Sequence, residues 1–211
     1  TGDVITVTFP EEENAIPPSD TENLHIIYED EDILVINKSP DIAMHPTHNH
    51  QGDTLANKIS AYLISKNRQA VFRAVGRLDK CTSGLVIIAL NAHAANILSE
   101  KVEKHYIAIA GGEYHGEGTI NKPIVRPDPG KTYRWVGEDG EYAVTHWKSL
   151  KTDGKRSVVK IHLEAGRTHQ IRVHMAHLGH PVAGDDVYGP KKVIKQLNGQ
   201  CLHAKKIGFV H

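Results

Sequence analysis

The chain has 211 residues, of which 39% are hydrophobic and 24% are charged, and its 25 basic and 25 acidic side chains give a formal net charge of zero. These values are typical of a soluble globular protein; they exclude a strong overall attraction to polyanions, and no apolar run approaches the ~20 residues of a membrane span. Two cysteines, Cys81 and Cys201, are too few for a disulfide framework and favour a reducing, cytoplasmic compartment.

The first 23 residues are predicted to precede the main folded unit. Residues 1–9, TGDVITVTF, alternate between apolar and polar side chains as a strand does. The acidic, proline-containing stretch that follows, PEEENAIPPSD, is typical of a linker. We therefore divide the chain into the remnant of a preceding module at residues 1–10, a linker at 11–23 and a domain at 24–211.

Local patterns predict strands and helices in the first half of this domain. Residues 24–38, LHIIYEDEDILVINK, contain two apolar runs on either side of an acidic turn, as a hairpin does. A helix is predicted after Thr54, because this residue can cap it and Leu55, Ile59 and Leu63 recur at helical spacing. Further predicted elements are a buried strand at 84–90, a helix at 91–104 and a strand at 105–112.

The second half is predicted to contain a hairpin. Residues 143–150 and 157–165 have the composition of strands, and an Asp153-Gly154 turn lies between them. We expect these two strands to pair antiparallel. Because helices also lie between the predicted strands upstream, the sequence predicts one mixed-sheet domain of the α/β or α+β class.

A last helix is predicted within residues 168–181, THQIRVHMAHLGHP. Ile171, Met175 and Leu178 would share one face, and Thr168 would cap the first turn. The same apolar residues also fit a strand, so the pattern leaves both structures open.

The segment GRLDKCTSGLVIIAL, residues 76–90, places one carboxylate between two cations. Asp79 is the only acidic residue between positions 71 and 99, which disfavours both an oxygen-ligand metal site and paired-carboxylate hydrolysis. In an extended chain Arg77 and Asp79 share a face, so the guanidinium would keep the carboxylate ionised. An ionised carboxylate can act as a nucleophile without a metal. The alternative is an ordinary surface ion pair.

Residues 163–189 concentrate hydrogen-bonding side chains around the last predicted helix. Side chains suited to phosphates and base edges are those of Arg167, Thr168, His169, Gln170 and Arg172. Histidines at positions 169, 174, 177 and 180 invite a zinc site, but the paired i, i+4 histidines of a metalloprotease helix and a cysteine partner are both missing. The alternative for this stretch is a solvated helix face.

Taken together, several segments resemble the RluA-type pseudouridine synthases in order and spacing. They are EDEDILVINKSPDIAMHP, GRLDKCTSGLVIIALN, KHYIAIAGG, LEAGRTHQIRVHMAHLGHPVAGDDVYG and CLHAKKIGFVH, within a resemblance from about Ile26 to His211. The resemblance implies an α+β fold with a long mixed, mainly antiparallel β-sheet, flanking helices and a central RNA-binding cleft. It also implies that uridine in structured RNA is isomerised to pseudouridine with no cofactor and no metal, and we expect a monomer without a membrane partner.

The resemblance assigns roles to individual residues. The aspartate of the family's R-L-D motif falls on Asp79, the tyrosine that follows its basic residue on Tyr106, and the arginine of its H-Q-hydrophobic-R motif on Arg172. These three are the predicted catalytic residues. The predicted RNA-binding residues are Arg77, Lys38, Arg167, His169 and Gln170.

The implied reaction leaves several roles open. Asp79 would attack the sugar C1′ or the base C6, or assist the departure of uracil. Tyr106 would stack beneath the base and move a proton, although a tyrosine on an apolar strand is also typical of a core. Arg172 would hold Asp79 through a forked contact, or else lie on a helix surface.

The resemblance favours large-subunit ribosomal RNA as the substrate, with transfer RNA as the alternative. Gly76, Lys80 and Cys81 depart from the histidine and the arginine-aspartate pair that family members often show, which bears on substrate choice. Competing functions are an RNA-binding protein without turnover, opposed by the three intact catalytic residues, and a metal-dependent phosphodiesterase, opposed by the lack of clustered acids. Residues 1–10 are similar to the tail of a small RNA-binding module that often precedes such domains.

Overall fold

The computed structural model describes residues 15–48, 50–68, 71–99, 101–190 and 199–210, together with residues 2, 4 and 6. Most of the predicted module remnant, with its strand, lies outside the described residues, as do positions 11–14 of the predicted linker and the last residue of the predicted domain. No helix of the described part is long and apolar enough to cross a membrane.

One long sheet organises the described part of the chain. The strands are β1 Ile26–Glu29, β2 Ile33–Lys38, β3 Arg73–Val75, β4 Ser83–Ala89, β5 Glu103–Gly111, β6 Glu117–Asn121, β7 Ile124–Val125, β8 Trp135–Val136, β9 Val144–Thr152, β10 Arg156–Leu163 and β11 Leu202–Gly208. Along the sheet the order is β1-β2-β4-β11-β5-β10-β9-β6; β3 pairs with β4, while β7 and β8 pair separately. Strands β4 and β11 are parallel, and the other pairs are antiparallel. The sheet is therefore mixed and mainly antiparallel, as predicted.

Helices cover both faces of this sheet. Those of the described part are α1 Leu55–Ser65, α2 Ala92–Leu98 and α3 Gln170–His177. On one face, Ile59 of α1 and Met175 of α3 belong to the larger buried cluster. On the other, Leu98 of α2 packs in a smaller cluster with Ile87 of β4. The architecture is α+β, as expected.

Three predicted elements are confirmed, and side-chain oxygens explain where they turn or start. In the β1–β2 hairpin, Asp30 Oδ1 accepts hydrogen bonds from two backbone N–H groups at 2.8 Å each. Helix α1 begins with a capping box between Thr54 and Asn57. In the β9–β10 hairpin, Asp153 Oδ1 accepts from two backbone N–H groups at 2.9 and 2.7 Å. Each signal is local, so the sequence alone could locate it.

The helix predicted for residues 91–104 is shorter than expected. It ends at Leu98, and β5 already begins at Glu103. The reason is sheet pairing: Glu103 lies opposite Gly208 of β11, and Lys104 lies opposite Leu163 of β10. Strand partners distant in sequence therefore override the local helix preference.

Residues 170–177 form a helix rather than a strand, but Thr168 is not its cap. The residue before the helix is His169, which has a left-handed φ of 59° and makes no side-chain cap bond. Gln170 Oε1 instead accepts a hydrogen bond from the Arg167 N–H at 3.0 Å. Leu178, predicted on the apolar face, is 38% exposed because it lies past the end of α3.

The described part of the predicted linker lies against α1. Asn57 Nδ2 donates to the Pro17 carbonyl at 2.8 Å, and Lys58 Nζ pairs with Asp20 at 2.6 Å. The Ser60 hydroxyl donates to the carbonyl of residue 16 at 2.8 Å. Residues 16–20 are therefore attached to the domain rather than extended away from it.

Candidate active site

A cavity of ≈ 390 Å³ lies where the β3–β4 loop, β5 and the start of α3 meet. Its lining includes Asp79, Tyr106 and Arg172, the three predicted catalytic residues. Asp79 and Arg172 are 93 positions apart in sequence, yet their side chains are in direct contact. Its volume lies within the range of small-molecule sites.

The loop between β3 and β4 carries Asp79. A turn closes it, since the Thr82 N–H donates to the Asp79 carbonyl at 3.0 Å. The Asp79 side chain is 17% exposed and faces the cavity. This loop lies outside both strands, so Arg77 and Asp79 do not share a strand face, and no ion pair joins them among the described residues.

Lys38 holds this loop through a hydrogen bond and does not line the cavity. Its residue is only 1% exposed, and its ammonium donates to the carbonyls of Ser39, Ile42 and Lys80 at 2.9 Å each. Burial lowers the pKa of Lys38 to about 8, against the opposing pull of nearby anionic groups. With all three donors engaged inside the protein, the expected RNA contact of Lys38 is wrong, and we assign it to holding the loop.

Arg172 contacts Asp79 through one N–H and another carboxylate through a fork. Its Nη1 lies 3.1 Å from Asp79 Oδ2. Its Nε and Nη2 lie 2.6 and 2.9 Å from the two oxygens of Asp185. The expected forked contact between Arg172 and Asp79 is therefore wrong. The forked contact is to Asp185, and Asp79 is contacted by the remaining nitrogen, Nη1. Burial disfavours the charged form, but the two carboxylates outweigh burial and raise the pKa of Arg172.

Asp185 was missed by the sequence analysis, although it lies within the segment that was singled out. Its side chain is fully buried and also accepts hydrogen bonds from the backbone N–H groups of Val187 and Tyr188, at 3.0 Å each. Burial alone would raise its pKa, but the bonds from Arg172 outweigh burial and lower it. A buried arginine needs carboxylate partners, but the sequence analysis did not predict that Arg172 is buried, so it had no reason to look for a second carboxylate.

His169 and Tyr188 complete a ring of contacts around Arg172. His169 Nδ1 lies 2.9 Å from the Tyr188 hydroxyl, and its Nε2 lies 3.8 Å from Asp79 Oδ2. The guanidinium of Arg172 lies over the Tyr188 ring at 5.2 Å. Burial lowers the pKa of His169, partly opposed by the charge of Asp79. His169, a predicted RNA-binding residue, therefore lies beside the Asp79 carboxylate and lines the same cavity.

Tyr106 lies in the floor of the cavity on β5, with Ile161 and Ala204 as its cross-strand neighbours. The residue is 6% exposed. Burial, with a further contribution from the Asp79 charge, raises the pKa of Tyr106 to about 12. Its phenol therefore keeps its proton at neutral pH.

The remaining predicted RNA-binding residues differ in their exposure. Arg77 is exposed at the cavity. Arg167 also lines it, while its guanidinium pairs with Glu141 at 2.8 Å. Gln170 is only 2% exposed, and its amide donates to the Val144 carbonyl and the Thr145 hydroxyl at 2.9 and 3.0 Å. The expected RNA contact of the Gln170 side chain is therefore wrong, since that side chain holds the start of α3 against β9.

Two of the other histidines that invited a zinc site, an interpretation that the sequence disfavours, bind protein groups instead. His174 is buried between the Thr145 hydroxyl and the Lys122 carbonyl, at 2.8 and 2.9 Å. His180 Nδ1 lies 2.9 Å from the Gly111 carbonyl. Within the described ranges, no group of three or more histidine, cysteine or acidic side chains is arranged to hold a metal ion.

Comparisons with known proteins point to one family. A family model described as RNA pseudouridylate synthase matches residues 32–177. Two Bacillus subtilis (strain 168) proteins named uncharacterized RNA pseudouridine synthase, YlyB and YhcT, are each 41% identical over 100% of this chain and 72% of their own length. The ribosomal large subunit pseudouridine synthase D of Escherichia coli O6:H1 is 36% identical over 95% of this chain and 67% of its own length.

Solved structures agree with the sequence comparisons. Human RNA Pseudouridylate Synthase Domain Containing 1 has a TM-score of 0.71 and 30% identity, and the match covers 90% of this chain and 80% of the human one. Human RNA Pseudouridylate Synthase Domain Containing 4, at 22% identity, has a TM-score of 0.67 over 87% of this chain and 83% of that chain, and supports the fold alone.

Proposed function

The chain belongs to the RNA pseudouridylate synthase family and is an RNA pseudouridine synthase, and we propose that it modifies large-subunit ribosomal RNA with Asp79 as its reacting carboxylate. The observation that carries the residue assignment is the contact of 3.1 Å between Asp79 and Arg172 inside a cavity that Tyr106 also lines. An ionised carboxylate held next to a guanidinium, beside an aromatic ring, suits a reaction at a nucleoside.

The proposed substrate rests on the named relatives. The protein 36% identical over 95% of this chain is called ribosomal large subunit pseudouridine synthase D. Transfer RNA is the alternative, and no feature of the described residues favours it. Because the net charge is zero, affinity for either RNA depends on cations near the cavity rather than on an overall field.

The reaction breaks the N1–C1′ bond of uridine and forms a C5–C1′ bond, while the C5 hydrogen is lost and N1 gains a proton. Asp79 attacks C1′ or C6, or assists the departure of uracil, and each route needs the ionised carboxylate within reach of the ribose or base. Arg172 contacts this carboxylate at 3.1 Å and limits its movement. With a pKa of about 12, Tyr106 starts protonated, so its hydroxyl can donate a proton; it must lose its own proton before accepting one.

The target base must leave its stack before it can enter the cavity. Extruding a base costs a few kcal/mol, which is lower when protein groups fill the gap and stack on the flipped base. We assign the stacking surface to Tyr106 in the cavity lining, and the exposed Arg77 supplies a cation at the same cavity.

Tritium release tests both the reaction and the role of Asp79. Ribosomal and transfer RNA labelled with tritium at C5 of uracil should show which RNA the wild type modifies, because forming pseudouridine transfers the label to water. Asp79→Asn keeps the size of the side chain but removes its charge, so it should abolish release while RNA binding persists through phosphate contacts.

A matched control separates this effect from general damage. Asp41 is nearby, its side chain is 62% exposed and its φ is 65°, a conformation that asparagine tolerates. Asp41→Asn should therefore release tritium like the wild type. Release by Asp79→Asn at the wild-type rate would remove Asp79 from the chemistry, and release from transfer RNA alone would contradict the proposed substrate.

A further inference from the structure

Lys104 faces the same cavity as the proposed catalytic residues but has no role in the scheme above. It lies on β5 two residues before Tyr106, so both side chains point to the same face of the sheet. Its cross-strand neighbours are Leu163 and Ile207, both apolar. The half-buried Lys104 therefore has apolar neighbours on the sheet and lines the cavity.

Gly76 makes room for this ammonium. A Cβ at position 76 would lie 2.2 Å from Lys104 Nζ, so any larger residue would displace the ammonium. Gly76 also has a φ of +84°, which side-chain-bearing residues rarely adopt. The backbone at the start of the Asp79 loop thus passes directly beside the charge of Lys104.

The residues that the structure describes supply no anion for this charge. Among the described residues, no hydrogen bond or ion pair reaches Lys104 Nζ, whereas the buried Lys38 has three carbonyl acceptors and Lys58 has Asp20. Burial lowers the pKa of Lys104, and no neighbouring carboxylate opposes this effect. Removing an ammonium from water without a partner is costly, so an anionic ligand would stabilise it.

We propose that Lys104, together with Arg77, forms a subsite for a backbone phosphate next to the target uridine. Phosphates are the anions of RNA, and a lysine ammonium binds them as a point charge with three donors. Arg77 follows Gly76 in the chain and is exposed at the same cavity, so the cavity lining contains a second cation. The subsite rests on the proposed function, since it positions the strand so that its ribose meets Asp79.

Salt dependence of RNA binding tests the subsite. Lys104→Met keeps the length of the side chain and removes its charge. We expect about 10- to 100-fold weaker binding at low salt, the effect of losing one charge-assisted hydrogen bond. The slope of log K against log[salt] should become shallower by about 0.7 to 0.9, the value for one phosphate contact. Lys104→Arg should keep the wild-type slope because it keeps the charge.

Lys151→Met provides the matched control, since Lys151 is exposed on β9, outside the cavity lining. It should leave affinity and slope unchanged. A thermal melt of each variant shows whether it is folded. A wild-type salt slope for Lys104→Arg would show separately that the charge, rather than the native side chain, is what binding requires. An unchanged slope for folded Lys104→Met would overturn the proposal.

A cycle with modified RNA identifies the phosphate. The phosphates on either side of the target uridine are replaced, one at a time, by neutral methylphosphonates. At one position the wild type should lose about 10- to 100-fold in affinity while Lys104→Met loses little; equal losses in both proteins at every position would contradict a direct contact. Tritium release by the wild type on the same unmodified RNA is measured in parallel. Its absence would count against the proposed substrate, whereas the binding cycle alone decides on Lys104.

Discussion

Asp185→Asn tests whether the buried fork holds Arg172 in place. The carboxylate accepts from Arg172 Nε at 2.6 Å, from Nη2 at 2.9 Å and from two backbone N–H groups at 3.0 Å each. In Asp185→Asn, the amide oxygen can take the place of Oδ1, which accepts hydrogen bonds from Nη2 and from the two backbone N–H groups. The amide nitrogen would then face the Nε–H, so two donors would oppose each other with no acceptor between them.

The structure bounds the magnitude of this change. Removing one partner of a buried ion pair costs about 3–5 kcal/mol, because the other charge stays buried. Arg172 would keep its contact of 3.1 Å with Asp79, so we expect the lower end, about 3 kcal/mol. For a chain of this size, that loss corresponds to a Tm lower by about 6–12 °C.

The loss of stability in Asp185→Asn should depend on pH. The folded-state pKa of Asp185 is lowered, so its contribution to stability is fully present above the unfolded value of about 3.9 and is lost as the pH falls through the folded-state pKa. The difference between wild type and Asp185→Asn should therefore be largest near neutral pH and shrink below about pH 4.

Urea unfolding at pH 7 and at acidic pH, combined with tritium release well below the Tm, measures both effects. Asp186→Asn is the matched control, because the neighbouring Asp186 side chain is 84% exposed and lies 3.8 Å from Arg172; its effect should stay within about 0.5 kcal/mol. Asp185→Asn should also lower kcat, since Arg172 no longer aims at Asp79 from a fixed position. Equal stability of Asp185→Asn and wild type at pH 7, or an undiminished difference in acid, would refute the reasoning.

Two further predictions concern the chemistry. Tyr106→Phe keeps the ring on the cavity floor and removes only the hydroxyl, so kcat should fall by about 10² to 10⁴ with RNA affinity little changed; an unchanged kcat in a single-turnover assay would restrict Tyr106 to stacking and packing. Turnover should survive a chelator, because the proposed carboxylate chemistry needs no metal; a large loss that added zinc or magnesium restores, with the RNA fold held constant, would contradict Asp79 as the sole reacting group.

The sequence by itself determined the elements whose signals are local. Asp30 and Asp153 mark the two hairpin turns and Thr54 marks the start of α1, because each side chain bonds to backbone groups only two or three positions away. The end of α2 and the cap of α3 were predicted wrongly, because both depend on partners far along the chain. Pairing with β10 and β11 starts β5 early, and Gln170 anchors α3 to β9.

For the candidate site, the sequence supplied Asp79, Tyr106 and Arg172 through a resemblance of motifs, and the fold brings all three to one cavity. The motifs did not show which of the polar side chains are exposed to solvent and which are buried. The tertiary structure alone decided that Lys38 and Gln170 bond inside the protein while Lys104 faces the cavity. It also decided that the fork of Arg172 points to Asp185. Burial and the choice of a charged partner depend on packing between distant segments, which a local pattern does not encode.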